Sequence, residues 1–123
     1  MSAPTSALRI LVVEDEMMVA MLVEDMLTDL GHEVAGVAHS LSSALSMIEA
    51  KAGEFDLAVL DINLSGEPSF PAARRLMERG TPFLFATGYG AMGLEEPFGL
   101  GVHLEEAFRQ EDLAQAVERA IAA

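Results

Sequence analysis

The chain has 123 residues, 51% of them apolar, which suits one domain around one hydrophobic core. Its formal charge of −13 argues against a nucleic-acid surface, because phosphate contacts need Lys and Arg, and its lack of cysteine excludes a disulfide framework or thiolate metal site. The opening MSAPTSALRI is no secretory signal, and no apolar stretch approaches the roughly 20 residues that span a bilayer, so a cytoplasmic protein without membrane contact is expected.

Residues 8–13 form a short apolar run rich in β-branched side chains, which predicts a buried strand, and they end abruptly in Glu14-Asp15-Glu16. Residues 17–30 place Val19, Leu22, Val23, Met26, Leu27 and Leu30 at helical spacing, with Gly31 as the stop. A second strand is expected over 34–38. Ser40 then reads as the N-cap of a second helix whose inner face is Leu41, Ala44, Leu45 and Ile48, closed by Gly53. The third strand, 57–60, ends in Asp61, and a loop with Ser65-Gly66-Glu67-Pro68 leads into a helix over 71–79. After Gly80 and Pro82 the fourth strand, 83–86, ends in Thr87. Residues 88–101 carry Gly88, Gly90, Gly93, Pro97, Gly99 and Gly101, poor helix chemistry that predicts a loop with at most one helical turn. A short fifth strand over 102–104 precedes a last helix from 110, with Leu113, Ala116, Val117, Ala120 and Ile121 facing inward.

Uninterrupted apolar strands alternating with amphipathic helices indicate an α/β fold whose parallel sheet is covered on both faces. Right-handed crossovers leave few topologies, and the doubly wound five-stranded order 2-1-3-4-5 is the expected one. Residues 1–123 are expected to form a single domain with no output domain attached, the first six being a disordered tail.

Ligands of such sheets sit beyond the carboxyl ends of the strands, at the switch point between crossovers. The first strand ends there in Glu14 and Asp15, the third in Asp61 and the fourth in Thr87. Each alone could be an acidic helix cap, a turn residue or a β-branched strand end. All of them at one edge is a poor accident, and three adjacent carboxylates are costly without a cation. Hard oxygen donors suit Mg²⁺, which phosphoryl transfer also requires.

The strings ILVVEDE, LAVLDINL, PFLFATGYG and FRQEDL make the chain resemble the receiver domains of two-component signalling, over nearly its whole length. FATGYG further resembles the FATGUY subgroup, in which the fourth helix is reduced to a glycine-rich loop. The resemblance implies a flavodoxin-like receiver fold and a signalling protein rather than an enzyme. It implies that Asp61 accepts a phosphoryl group from the phosphohistidine of a sensor histidine kinase or phosphotransfer protein. Glu14 and Asp15 match the acidic pair that holds Mg²⁺ together with Asp61 and the backbone carbonyl of Asn63, and Thr87 matches the switch hydroxyl. Signalling through a downstream protein partner would follow, with the chain a monomer or weak dimer.

One departure stands out. Where the family places a lysine that pairs with the phosphoryl group, the chain has Glu106, and Lys51 in the second helix is its only lysine. Two unit charges ~4 Å apart interact by about 4 kcal/mol at an effective dielectric near 20, so the exchange bears on phosphorylation. The aromatic switch position holds His103, which reads first as a half-exposed strand histidine; Tyr89 is the better moving ring. Glu106 motivates an alternative, a pseudo-receiver that signals by binding without stable phosphorylation. An aspartyl-phosphate phosphatase would need a second aspartate two residues after the nucleophile, where Asn63 stands. Arg74, Arg75 and Arg79 read as a solvated helix face, and Met17, Met18 and Met21 as either core or an adaptable docking surface.

Overall fold

A computed structural model describes residues 7–51, 53–87, 103–105 and 109–122, with the backbone alone for Thr87 and 103–105. The expected tail over 1–6 and the loop over 88–101 lie outside the described residues. Five parallel strands, β1 (Arg9–Val13), β2 (Glu33–Ala38), β3 (Leu57–Asp61), β6 (Phe83–Thr87) and β7 (His103–Glu105), pair in the order β2-β1-β3-β6-β7. This is the doubly wound 2-1-3-4-5 arrangement that the alternating pattern predicts. Four helices are described: α1 (Met17–Asp29), α2 (Leu41–Ala50), α3 (Phe70–Glu78) and α4 (Gln110–Ala122). None of the described helices is long and apolar enough to cross a membrane.

Period-two alternation sorts the strand side chains into two cores. Leu11, Val13, Ala58 and Leu60 join Ala44 and Ile48 of α2 and Ala72, Ala73 and Leu76 of α3 on one face. Ile10, Val12, Leu57 and Val59 join Val23 and Leu27 of α1 and Leu113, Ala116 and Val117 of α4 on the other. Full burial of each large apolar side chain contributes about 1.5–3 kcal/mol, so both layers are needed to hold the sheet. Phe85 anchors the first core, edge-on to Phe70 at 6.0 Å and to Phe83 at 5.6 Å between ring centroids.

Helix ends follow their local chemistry. Ser40 caps α2, its hydroxyl accepting the Ser43 N–H at 3.1 Å, and Gly31 and Gly53 end their segments at φ of +93° and +83°. Two expected inward faces are corrected. In α1 the buried stripe is Ala20, Val23 and Leu27, with Met26 and Leu30 at its margin, whereas Val19 and Leu22 are 36% and 52% exposed. They sit about 100° round the helix from that stripe, and small Ala20 lets the backbone approach the sheet. Ile121 is likewise 37% exposed, beside the buried Ala120.

The segment after β3 is not a plain loop. β4 (Asn63–Leu64) and β5 (Glu67–Pro68) form a two-stranded antiparallel ladder, pairing Asn63 with Pro68 and Leu64 with Glu67. Ser65 and Gly66 turn it with φ of 55° and 92°, the double positive φ of the tight hairpin turn. The fifth strand includes Glu105, one residue past its expected end, and α3 begins one residue earlier than expected. Arg75 and Arg79 reach across to Glu49, binding α3 to α2, with a further pair from Arg75 to Glu78.

Candidate functional site

Strand register delivers the acidic residues to one edge. Val13 pairs with Leu60 and Asp61 with Ala86, so the residue after β1 lies beside the end of β3, one step from Thr87. One carboxylate oxygen from each of Glu14, Asp15 and Asp61 lies within 4.8 Å of the others. The opposite edge is finished differently: Arg9 at the start of β1 pairs with Asp56 just before β3, at 3.3 Å.

Local hydrogen bonds hold the cluster's shape. The Glu14 N–H donates to Ala38 O at 2.9 Å, continuing the β1–β2 ladder, and the Glu14 carboxylate accepts the Glu16 N–H at 3.1 Å. Glu14 is therefore buried, 9% exposed, and capped onto the entrance of α1. The His39 Nδ1 lies 3.1 Å from the Glu14 carbonyl oxygen, fixing the backbone from the β2 side. Asp15 accepts a hydrogen bond from the Ser65 hydroxyl at 2.9 Å. Asn63, two residues after Asp61, closes the hairpin turn, its side-chain oxygen accepting the Gly66 N–H at 2.7 Å.

Burial and mutual proximity set the electrostatics. Desolvation first, then the neighbouring Asp61, push Glu14 up to about 8 despite the Glu16 N–H. Desolvation again leads for Asp61, pushed up to about 6 with the charge of Asp15 adding to it. Asp15 goes the other way: burial would raise it, but hydrogen bonds from Ser65 and Glu14 hold it below the usual carboxylate range. An anionic pocket that resists its own full ionisation is what a small divalent cation relieves. Its donors are all oxygen, hard and convergent, as Mg²⁺ requires.

The structure thus brings together Glu14, Asp15, Asp61 and Asn63. It places the backbone of Thr87 at the same edge, paired with Glu105, and His103 two residues earlier, paired with Phe85. Tyr89 and Glu106 lie outside the described residues. Sequence reasoning did not single out Ser65 or His39. His39 follows a strand directly, as Glu14 and Asp61 mark strand ends, and that position was its available signal. Ser65 lies 50 residues from its partner and carried none. Met17, Met18 and Met21 are 66%, 84% and 58% exposed beside this edge, so they are surface rather than core.

A family model described as "Response regulator receiver domain" matches residues 10–118. The transcriptional regulatory protein TcrA of Mycobacterium tuberculosis is 38% identical over 89 residues, covering 71% of this chain and 34% of TcrA. PdtaR, a transcriptional regulatory protein of the same organism, is 27% identical over 117 residues, 92% of this chain and 56% of PdtaR. The chain therefore spans about a third to just over half the length of these relatives. Among solved structures, SdrG from Sphingomonas melonis Fr1 superposes with a TM-score of 0.84 at 35% identity, covering 97% of this chain and 99% of SdrG. The response regulator PhyR from Brucella abortus superposes at 0.79 with 26% identity, over 94% of this chain and 48% of PhyR.

Proposed function

The chain belongs to the response regulator receiver domain family, and we propose that it accepts a phosphoryl group on Asp61 from a sensor histidine kinase or phosphotransfer protein. The observation that carries this reading is the meeting of Glu14, Asp15 and Asp61 within 4.8 Å at the carboxyl edge of the sheet. Mg²⁺ would be held by these three and by the backbone carbonyl of Asn63, and when bound it neutralises charge on the transferring oxygens. An ionised Asp61 oxygen attacks phosphorus, the bond from phosphorus to the donor's imidazole nitrogen breaks, and the nitrogen keeps the electron pair. Thr87, with Tyr89 or His103 as the moving ring, then reports the phosphoryl group to a protein partner by shifting a pre-existing equilibrium.

The pseudo-receiver reading is favoured by the sequence resemblance, which sets the carboxylate of Glu106 against the family's lysine in a chain whose only lysine is Lys51. Intact-protein mass spectrometry after incubation with Mg²⁺ and acetyl phosphate separates the two, run beside Asp61→Asn and Glu106→Lys. A phosphoryl mass increment on the wild type, absent from Asp61→Asn, is expected. No increment on the wild type but one on Glu106→Lys would overturn the phosphoacceptor reading in favour of the pseudo-receiver.

A further inference from the structure

Ser65 sits in a position its residue type does not favour. It occupies the first turn position of the β4–β5 hairpin at φ 55°, where Asn, Asp or Gly is the usual choice and other residues are strained. Although the residue is exposed, its hydroxyl donates across the fold to Asp15 Oδ2 at 2.9 Å. The hairpin is fixed at its other points: Leu64 is 2% exposed in the core, and Asn63 closes the turn through the Gly66 N–H. The contact to Asp15 is therefore made from a hairpin anchored at Leu64 and at its turn. A carboxylate with one oxygen engaged by a fixed donor presents the other in a defined direction, the arrangement that orients ligands around metals.

We infer that Ser65 is a positioning residue of the cation site, orienting Asp15 and coupling ion binding to the order of the β4–β5 hairpin. This rests on the reading of Glu14, Asp15 and Asp61 as the cation ligands. Coupling is reciprocal, so whatever Ser65 contributes to ion affinity the ion returns as hairpin order.

The test is Mg²⁺ titration of the full chain by calorimetry, with the amide NMR shifts of residues 64–67 followed in parallel. Ser65→Ala and Ser65→Gly are each expected to lose about tenfold in Mg²⁺ affinity, the effect usual for an outer ligand partner. Ser65→Gly relieves the positive φ, so its loss reports the hydroxyl and not backbone strain. Ser65→Asn, which tolerates positive φ and carries an amide donor, should recover part of the loss, and Mg²⁺ should shift the hairpin amides of the wild type more than those of Ser65→Gly. Wild type that binds Mg²⁺, with Ser65→Ala and Ser65→Gly within twofold of it, would overturn the inference alone. Wild type that does not bind Mg²⁺ would overturn it together with the cation reading beneath it.

Discussion

Asp61 and Glu14 oppose the fold that carries them. Burial lifts both above ordinary carboxylates, Glu14 to about 8 and Asp61 to about 6, so the folded state binds these protons more tightly than the unfolded chain. Stability from this source is fully present below the unfolded values near 4 and is lost as pH rises through the folded ones. Asp61→Asn removes one of the competing charges. In EDTA at pH 8 it should melt higher than the wild type by about 4 °C, on the order of 1 kcal/mol, and the advantage should shrink at pH 5. A lower-melting variant at pH 8 would sink this account. His32 works in the opposite direction. Burial lowers it, and its Nδ1 accepts the Leu8 N–H at 3.1 Å, a role only the neutral ring can fill. Its contribution is present above about pH 6.5 and lost as pH falls below it. Because the two effects run against each other in mildly acid solution, the wild-type profile alone cannot separate them. The stability lead of wild type over His32→Ala should narrow between pH 7.5 and 5.5 in urea unfolding; a constant gap would place the histidine outside the linkage.

Among the helices, α2 shows the clearest local signal. Its Ser40 hydroxyl accepts the Ser43 N–H, whereas Glu16 makes no side-chain cap for α1. Ser40→Ala should cost about 1 kcal/mol in denaturant unfolding, and a change below a few tenths would mean that water replaces the cap fully. Elements like these were readable because one periodicity dominates each. β1 and β3 are continuous apolar runs, α2 and, up to Ala120, α4 carry their spacing cleanly, and the order of the sheet follows from handedness. The β4–β5 ladder was not readable, since two residues per strand give no pattern and the hairpin rests on turn geometry at Ser65-Gly66. In α1 apolar residues cover more than one face, so spacing alone could not tell buried Ala20 from exposed Leu22. The carboxylates of the site were legible because strand ends and sheet order together fix where Glu14, Asp15 and Asp61 meet. The supports were less so: His39 had only its place directly after a strand as a signal, and Ser65, which reaches Asp15 across the fold, had none.

Over the whole molecule, a charge of −13 means that the compact state repels itself. Adding salt from about 0.01 M to about 0.15 M shortens the Debye length from about 30 Å to about 8 Å, which screens much of that repulsion. The same salt weakens the ion pairs Arg9–Asp56 and Arg75–Glu49, but exposed pairs contribute about 0–1 kcal/mol and do not reverse the sign. NaCl alone should therefore raise the melting temperature of the wild type. Mg²⁺ at matched ionic strength should raise it further, because it also binds at a defined site. A ligand a hundredfold above its dissociation constant adds about 2.7 kcal/mol to folding. Asp61→Asn divides the two effects, since it removes only one of the chain's negative charges and leaves general screening in place but takes one oxygen anion from the cluster. It should keep the NaCl increment and lose most of the extra Mg²⁺ increment. If Mg²⁺ and Na⁺ at equal ionic strength stabilise the wild type equally, the cluster binds no ion of its own, and the acidity of this chain acts only as a diffuse field.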